Sequence, residues 1–136
     1  MIGSTMMRLS IVLLLIGMTG GIAMGISQSF TLMPAHSHLN LVGGVLLFLF
    51  GLYYRLVPEA GASRLAVIQG WLHMIGAVMF PGGLAVMLLA GHHLVFLPII
   101  GSFVVLGAVA LFAVIVFRTA KVVTASSVEQ PRLATF

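Results

Sequence analysis

The sequence contains no cysteine and almost no acidic residues. Its 136 residues include only two acids, Glu59 and Glu129. The absence of cysteine excludes disulfide bonds, thiolate metal ligands and a cysteine nucleophile. With so few acids, catalysis by paired carboxylates is nearly excluded. The chain also lacks a Gly-x-Ser-x-Gly motif, which argues against a conventional hydrolase.

Charged residues of either sign are scarce. They make up 6% of the chain, against about a quarter in soluble domains, while 61% of the residues are hydrophobic. Because so few charges cannot cover a water-facing surface, the sequence predicts an integral membrane protein that lies in the lipid bilayer. The net charge of +4 is small and spread over predicted helix ends. It indicates membrane topology and no binding to nucleic acid.

What the sequence has in abundance is long apolar runs. Four of them are long enough to cross roughly 30 Å of hydrocarbon, which takes about 20 residues. We therefore predict an all-α fold, a four-helix transmembrane bundle over residues 1–120, followed by a polar cytoplasmic tail over residues 121–136. The four runs are residues 9–26, 35–57, 65–90 and 94–117.

The positive charges predict the orientation of these helices. Every lysine and arginine lies before the first run, around the connection between the second and third runs, or after the fourth run. The positive-inside rule then places both termini in the cytoplasm and gives an up-down-up-down bundle. We expect a multi-pass protein of a bacterial inner (plasma) membrane. The residues concerned are Arg8, Arg55, Arg64, Arg118, Lys121 and Arg132.

Glycines mark one face of the first predicted helix. Gly17, Gly21 and Gly25 recur every four residues, and this spacing of small residues lets helix backbones approach closely in lipid. Two interpretations are open. The face serves packing inside the bundle, or it is the seam of a homo-oligomer, most simply a dimer.

The second predicted helix also has a thin face, formed by Gly43, Gly44 and Gly51. Such a face suits either a neighbouring helix or a flat cofactor. Pro81 and Pro98 lie within the third and fourth runs. We expect them to kink or locally unwind their helices.

Five histidines carry most of the chemistry that the sequence offers. In the predicted topology His36 and His38 lie at the outer end of the second helix, and His92 and His93 at the outer end of the third. Neutral imidazole is the commonest metal ligand. His73 lies roughly 12 Å deep from the other side, at 1.5 Å per residue. All five are candidate metal ligands; the alternatives are unliganded interfacial histidines and, for His73, a hydrogen bond between helices.

The spacing around Asn40 adds a local pattern. On a regular helix two residues two apart point about 200° apart, so His36 and His38 face one metal ion only if the helix is frayed after Pro34. Asn40 lies one turn from His36 and shares its face. We expect Asn40 either to be a hydrogen-bond partner of that ring, beside a bound cofactor, or to satisfy an exposed carbonyl.

Two motifs border the second predicted helix. Residues 38–41 read HLNL and residues 51–59 read GLYYRLVPE. With these motifs the segment resembles the second helix of the large subunit of the heme-copper oxidase superfamily, and it is most similar to the nitric-oxide reductase branch. There a His-x-Asn pattern opens the helix and a Tyr-Tyr-x-x-x-Pro-Glu pattern closes it. Weaker similarity continues through residues 66–71, AVIQGW.

The resemblance implies a cofactor. In that family the histidine at the outer end of this helix binds a low-spin heme b, which implies the same role for His38, with His36 as its rival. The second axial ligand would come from His92 or His93, or from another protomer. We therefore expect a small membrane protein, related to cytochrome oxidase subunit I, that binds heme b for electron transfer or gas sensing.

Two other functions fit the same residues. The outer histidines could hold copper or zinc, without heme, for storage or delivery of the metal. Alternatively, the chain is an accessory or structural subunit of a respiratory membrane complex, in which the histidines pack and the glycines face a respiratory-chain partner. The sequence does not assign an enzymatic reaction.

Overall fold

The computed structural model describes residues 2–129, and the side chains of residues 2–119. Within these limits every regular element is a helix. Four of the described helices are long and apolar enough to cross a membrane, which confirms the predicted membrane protein with four transmembrane helices. We call them the first to fourth spans: Ile2–Ser27, Met33–Leu56, Arg64–Ala90 and His92–Thr119.

The helices extend beyond the apolar runs at both ends of the chain. The first helix, Ile2–Ser27, begins well before the predicted start at residue 9. The last helix, Phe96–Glu129, continues past residue 117 into the predicted polar tail. Backbone hydrogen bonding does not stop where the apolar run stops, so hydropathy marks the membrane-crossing part of a helix and not its ends. Residues 130–136 lie outside the described residues.

The second span changes geometry along its length. An α-helical segment, Met33–His38, begins with a proline in its first turn, where the missing N–H costs no helical hydrogen bond. A π-helix, Leu39–Leu46, follows, and an α-helix, Leu47–Leu56, completes the span. The short helix Pro58–Gly61 then leads toward the third span.

We expected Pro81 and Pro98 to kink or locally unwind their helices, and neither of them unwinds its helix. The third span stays α-helical through Pro81, and Pro98 lies in the first turn of the last helix, where proline is tolerated. The departure from α-helical geometry is instead the π-helix of the second span, a segment with no proline.

The first span fills the thin face of the second span. A Cβ at Gly51 would stand 2.7 Å from the carbonyl oxygen of Gly3, and one at Gly43 would stand 2.9 Å from a methyl carbon of Leu13. These glycines therefore admit a neighbouring helix, which was one of the two interpretations of the sequence. The third and fourth spans approach in the same way, since a Cβ at Gly101 would meet the backbone of Phe80 at 2.5 Å.

Polar side chains lie in the interior between the spans. Gln69 and His73 are completely buried. The hydroxyl of Tyr54 donates to Oε1 of Gln69 at 2.9 Å, and Nε2 of Gln69 donates to the carbonyl of Ala108 at 3.3 Å. These two hydrogen bonds join the second, third and fourth spans at one level.

Large apolar side chains cover the outside of the helices. Leu15, Ile22, Leu56, Leu89 and Phe103 are each at least 60% exposed. A surface of this kind is unfavourable in water and favourable against hydrocarbon. The exposed surface therefore agrees with the composition in placing the protein in a bilayer.

Candidate functional site

His36 and Asn40 form a side-chain pair where the α-helical start of the second span meets its π-helix. The amide nitrogen Nδ2 of Asn40 lies 3.3 Å from Nδ1 and 3.2 Å from Nε2 of His36, and it donates a hydrogen bond to the ring. The amide oxygen Oδ1 of Asn40 is buried and has no hydrogen-bond partner among the described residues. The structure thus places Asn40 against His36, as their spacing of four residues indicates.

Two glycines of the first span make room for this pair. A Cβ at Gly21 would stand 2.8 Å from Cε1 of His36, and a Cβ at Gly17 would overlap Oδ1 of Asn40. At Gly25, the third glycine of the predicted face, an added Cβ would meet open space. Packing inside the bundle therefore accounts for two of the three glycines.

An apolar cavity of about 390 Å³ lies beside the pair, between the first, second and third spans. We call it the His36 cavity. Its volume falls in the range of about 300–1,000 Å³ that is usual for small-molecule sites. The lining residues that the structure describes carry no formal charge. They include small residues, one imidazole and one thioether: Gly17, Gly20, Met24, His36, Pro81 and Gly82.

The π-helix that begins at Leu39 is a second feature of this location that is typical of functional sites. π-helical segments are rare in proteins and are found frequently at functional sites, since they re-aim side chains relative to a regular helix. Leu39 itself lines the His36 cavity. The irregular geometry and the cavity therefore occur at the same place in the second span.

His38 points to a different neighbour from His36. Its Nδ1–H donates to the carbonyl of Pro34 at 2.7 Å, and its ring meets that of Phe80 edge to face, with ring centroids 4.7 Å apart. It is not among the residues that line the His36 cavity. Because Nδ1 carries the proton in this bond, Nε2 of His38 has a free lone pair, the arrangement found in metal-binding histidines.

His92 and His93 lie on a short 3₁₀ helix, His92–Leu94, between the third and fourth spans. Both side chains are exposed, and neither lines the His36 cavity. Gly91 before them has φ of 123°, a conformation that favours glycine. Across the part of the chain that the structure describes, no three histidine or carboxylate side chains come together as a metal-binding group.

His73 lies apart from the other histidines, completely buried in the third span. Its Nε2–H donates to the carbonyl of Val42 at 3.2 Å, and its ring packs on Phe50, with centroids 4.9 Å apart. Nδ1 has no hydrogen-bond partner among the described residues. A hydrogen bond between helices, one of the two interpretations of His73, is therefore present.

Met24 is the residue of this site that sequence reasoning missed. The first span places it one helical turn beyond Gly21, and its side chain lines the His36 cavity. In the sequence, Met24 lies three residues after Gly21 and seven after Gly17, and this spacing puts it on the glycine face. Among nine methionines in an apolar chain, that position alone did not single it out.

Comparisons with protein-family models, with curated proteins and with solved structures find no match to this chain. The resemblance of residues 38–59 to the large subunit of heme-copper oxidases stays a prediction from the sequence. A functional assignment therefore depends on the chemistry of the site itself.

Proposed function

We propose that the chain is a small membrane protein that binds heme b in the His36 cavity, with His36 as an axial ligand of the iron, and that it transfers electrons. The observation that carries this proposal is the position of His36. Among the described residues it is the one imidazole on the wall of an apolar cavity that lies between three spans. A neutral nitrogen ligand in an uncharged cleft suits a flat, largely apolar iron porphyrin.

The pairing of His36 with Asn40 fits a ligand role. Nδ2 of Asn40 is almost equally far from both nitrogens of the His36 ring, at 3.3 and 3.2 Å, so it lies over the face of the ring. The in-plane lone pair of the unprotonated ring nitrogen is therefore left for a metal. Asn40 would hold the ring in its orientation.

The remaining residues of the site have simpler roles. Gly17 and Gly21 let the first span approach the pair closely. The apolar wall would lower the polarity around the iron, which together with the axial ligands tunes the reduction potential. Heme b, when bound, supplies a one-electron couple. The protein contributes its position, its ligands and an apolar environment.

The sequence resemblance supports heme but favours a different histidine. It implies His38 as the iron ligand, with His36 as the rival. The geometry favours His36, because His38 contacts Phe80 and lies outside the His36 cavity. The two assignments predict opposite results when each histidine is replaced.

Orientation and assembly belong to the same proposal. An up-down-up-down arrangement, with both termini in the cytoplasm and the His36 cavity toward the outer face of a bacterial inner membrane, follows from the distribution of the six cations. Contacts between Gly3 and Gly51 and between Gly21 and His36 support opposite directions for the first two spans. A homodimer would use the open surface at Gly25, in the same small-residue face.

Absorption spectra of the detergent-purified protein test the proposal. After expression with added heme precursor, the wild-type protein should show a Soret band that is lost in His36→Ala and retained in His38→Ala. Each substitution is measured alone, because a double variant would not distinguish the two histidines. A protein that purifies without heme and binds no added hemin would overturn the proposal, and loss of the band only in His38→Ala would move the ligand to His38.

A second candidate is a site for a bare copper or zinc ion at His38. The free Nε2 of His38, fixed by the hydrogen bond from Nδ1 to Pro34, is the observation in its favour. Elemental analysis showing metal without a Soret band, and loss of that metal in His38→Ala, would support it.

Co-purification of respiratory subunits with a metal-free and heme-free chain would instead favour an accessory subunit.

A further inference from the structure

We infer that the thioether of Met24 is the second axial ligand of the iron in the His36 cavity. This inference rests on the proposed function and makes it more specific. From the resemblance we expected His92 or His93 at that position, or a residue of another protomer. The structure leaves both histidines exposed beyond the third span and off the cavity wall.

Met24 and His36 reach the cavity from different helices. Met24 is on the first span and His36 is on the second, and both line the same space. Among the described lining residues they are the two whose side chains can donate an electron pair to iron. Imidazole together with thioether is an established ligand pair for heme iron.

The first span is held in register for this role by its contact with the ring of His36. A Cβ at Gly21 would stand 2.8 Å from Cε1 of that ring, so backbone and imidazole are in direct contact there. Met24 lies three residues farther along the same helix face, which corresponds to about 4.5 Å along the axis. Met24 therefore lies about one helical turn beyond this contact, and its side chain and the imidazole enter the cavity from two different spans at neighbouring levels.

The ligand pair has a functional consequence. With both axial positions filled by protein side chains, no position is open for a diatomic gas. Histidine–methionine ligation also raises the reduction potential of a heme relative to two histidines. The inference thus selects electron transfer over gas sensing.

Spectroscopy of hemin-loaded protein tests the inference, with Met18 as the matched control. Met18 is on the same helix but 56% exposed. Ferric wild-type protein should show the weak red charge-transfer absorption of a methionine-ligated heme, and Met18→Leu should keep it. Met24→Leu should lose that absorption and become high-spin, while Met24→His should give a bis-imidazole spectrum and a lower reduction potential.

The outcomes separate the inference from the proposed function. A heme that binds with the same ferric spectrum and potential in wild type, Met24→Leu and Met24→His overturns the Met24 assignment and leaves heme binding intact. A wild-type protein that binds no hemin overturns both. If Met24→Leu does not fold, Met24→His decides, because a retained heme with unchanged ligation signals excludes Met24.

Discussion

Nε2 of His73, in the third span, donates a hydrogen bond to the main-chain carbonyl of Val42, 3.2 Å away in the π-helix of the second span. The same carbonyl accepts the N–H of Leu47, five residues farther along the chain. A carbonyl oxygen has two lone pairs and can serve both donors. The imidazole therefore links the third span to the π-helix of the second span through this hydrogen bond.

Replacing His73 should destabilise the protein in two steps. His73→Leu removes the hydrogen bond but keeps most of the volume, and should cost about 1 kcal/mol, since such bonds in membranes contribute about 0.6 and at most about 1.7 kcal/mol. His73→Ala also leaves a cavity and should cost about 2–4 kcal/mol. Unfolding by SDS in mixed micelles measures both changes. Ile75→Ala, at a position 50% exposed on the same helix, should change stability far less; equal losses at both positions would contradict the assigned role.

Gly21→Ala should damage the His36 site, because the new methyl group would stand 2.8 Å from Cε1 of His36. We expect a loss of about 1–3 kcal/mol from overpacking and lower heme content in hemin titrations. The same substitution at Gly25 meets open space. Gly25→Ala should therefore be neutral or stabilising by up to about 1 kcal/mol. Similar behaviour of the two variants would show that the contact between Gly21 and His36 is not important.

Tyr54→Phe should weaken the connection between the second and third spans. It removes the hydroxyl that donates to Oε1 of Gln69 at 2.9 Å and leaves a buried amide oxygen without its donor. The expected cost is about 1–2 kcal/mol, measured by the same SDS unfolding. Tyr53→Phe is the control, since within the described residues the Tyr53 hydroxyl makes no hydrogen bond while its ring packs on Phe112. A larger effect at Tyr53 would speak against the role of Gln69.

Replacing His92 and His93 together by alanine should leave heme binding unchanged. Both side chains are exposed on the 3₁₀ helix and lie off the wall of the His36 cavity. The Soret absorbance per protein and the affinity for hemin should match those of the wild type. A loss of the Soret band in the double variant would return the second axial position to these histidines, as the sequence first indicated.

The four spans could be predicted from the sequence because each is set by a local quantity, the length of an apolar run. The pairing of Asn40 with His36 followed from helical spacing alone. The extension of the first helix to Ile2 was missed, since polar residues such as Ser4 and Arg8 interrupt the apolar run without interrupting the helix.

Other features depend on contacts between helices and were not predictable from spacing. The π-helix Leu39–Leu46 lies where Val42 accepts a hydrogen bond from the third span. The hydrogen bond from Tyr54 to Gln69 joins residues on separate spans. The place of Met24 on the cavity wall required the register of the first span against His36, which only the packed structure provides.

The π-helix has a consequence for the whole second span. Each residue of an α-helix advances it by about 100°, so one additional residue in a turn shifts the phase of everything that follows by about that angle. Side chains after the π-helix therefore point in directions that differ by about 100° from those that one continuous α-helix would give. Deleting a single residue between 39 and 46 would restore one continuous α-helical phase, and would rotate either His36 away from the first span or Tyr54 away from Gln69.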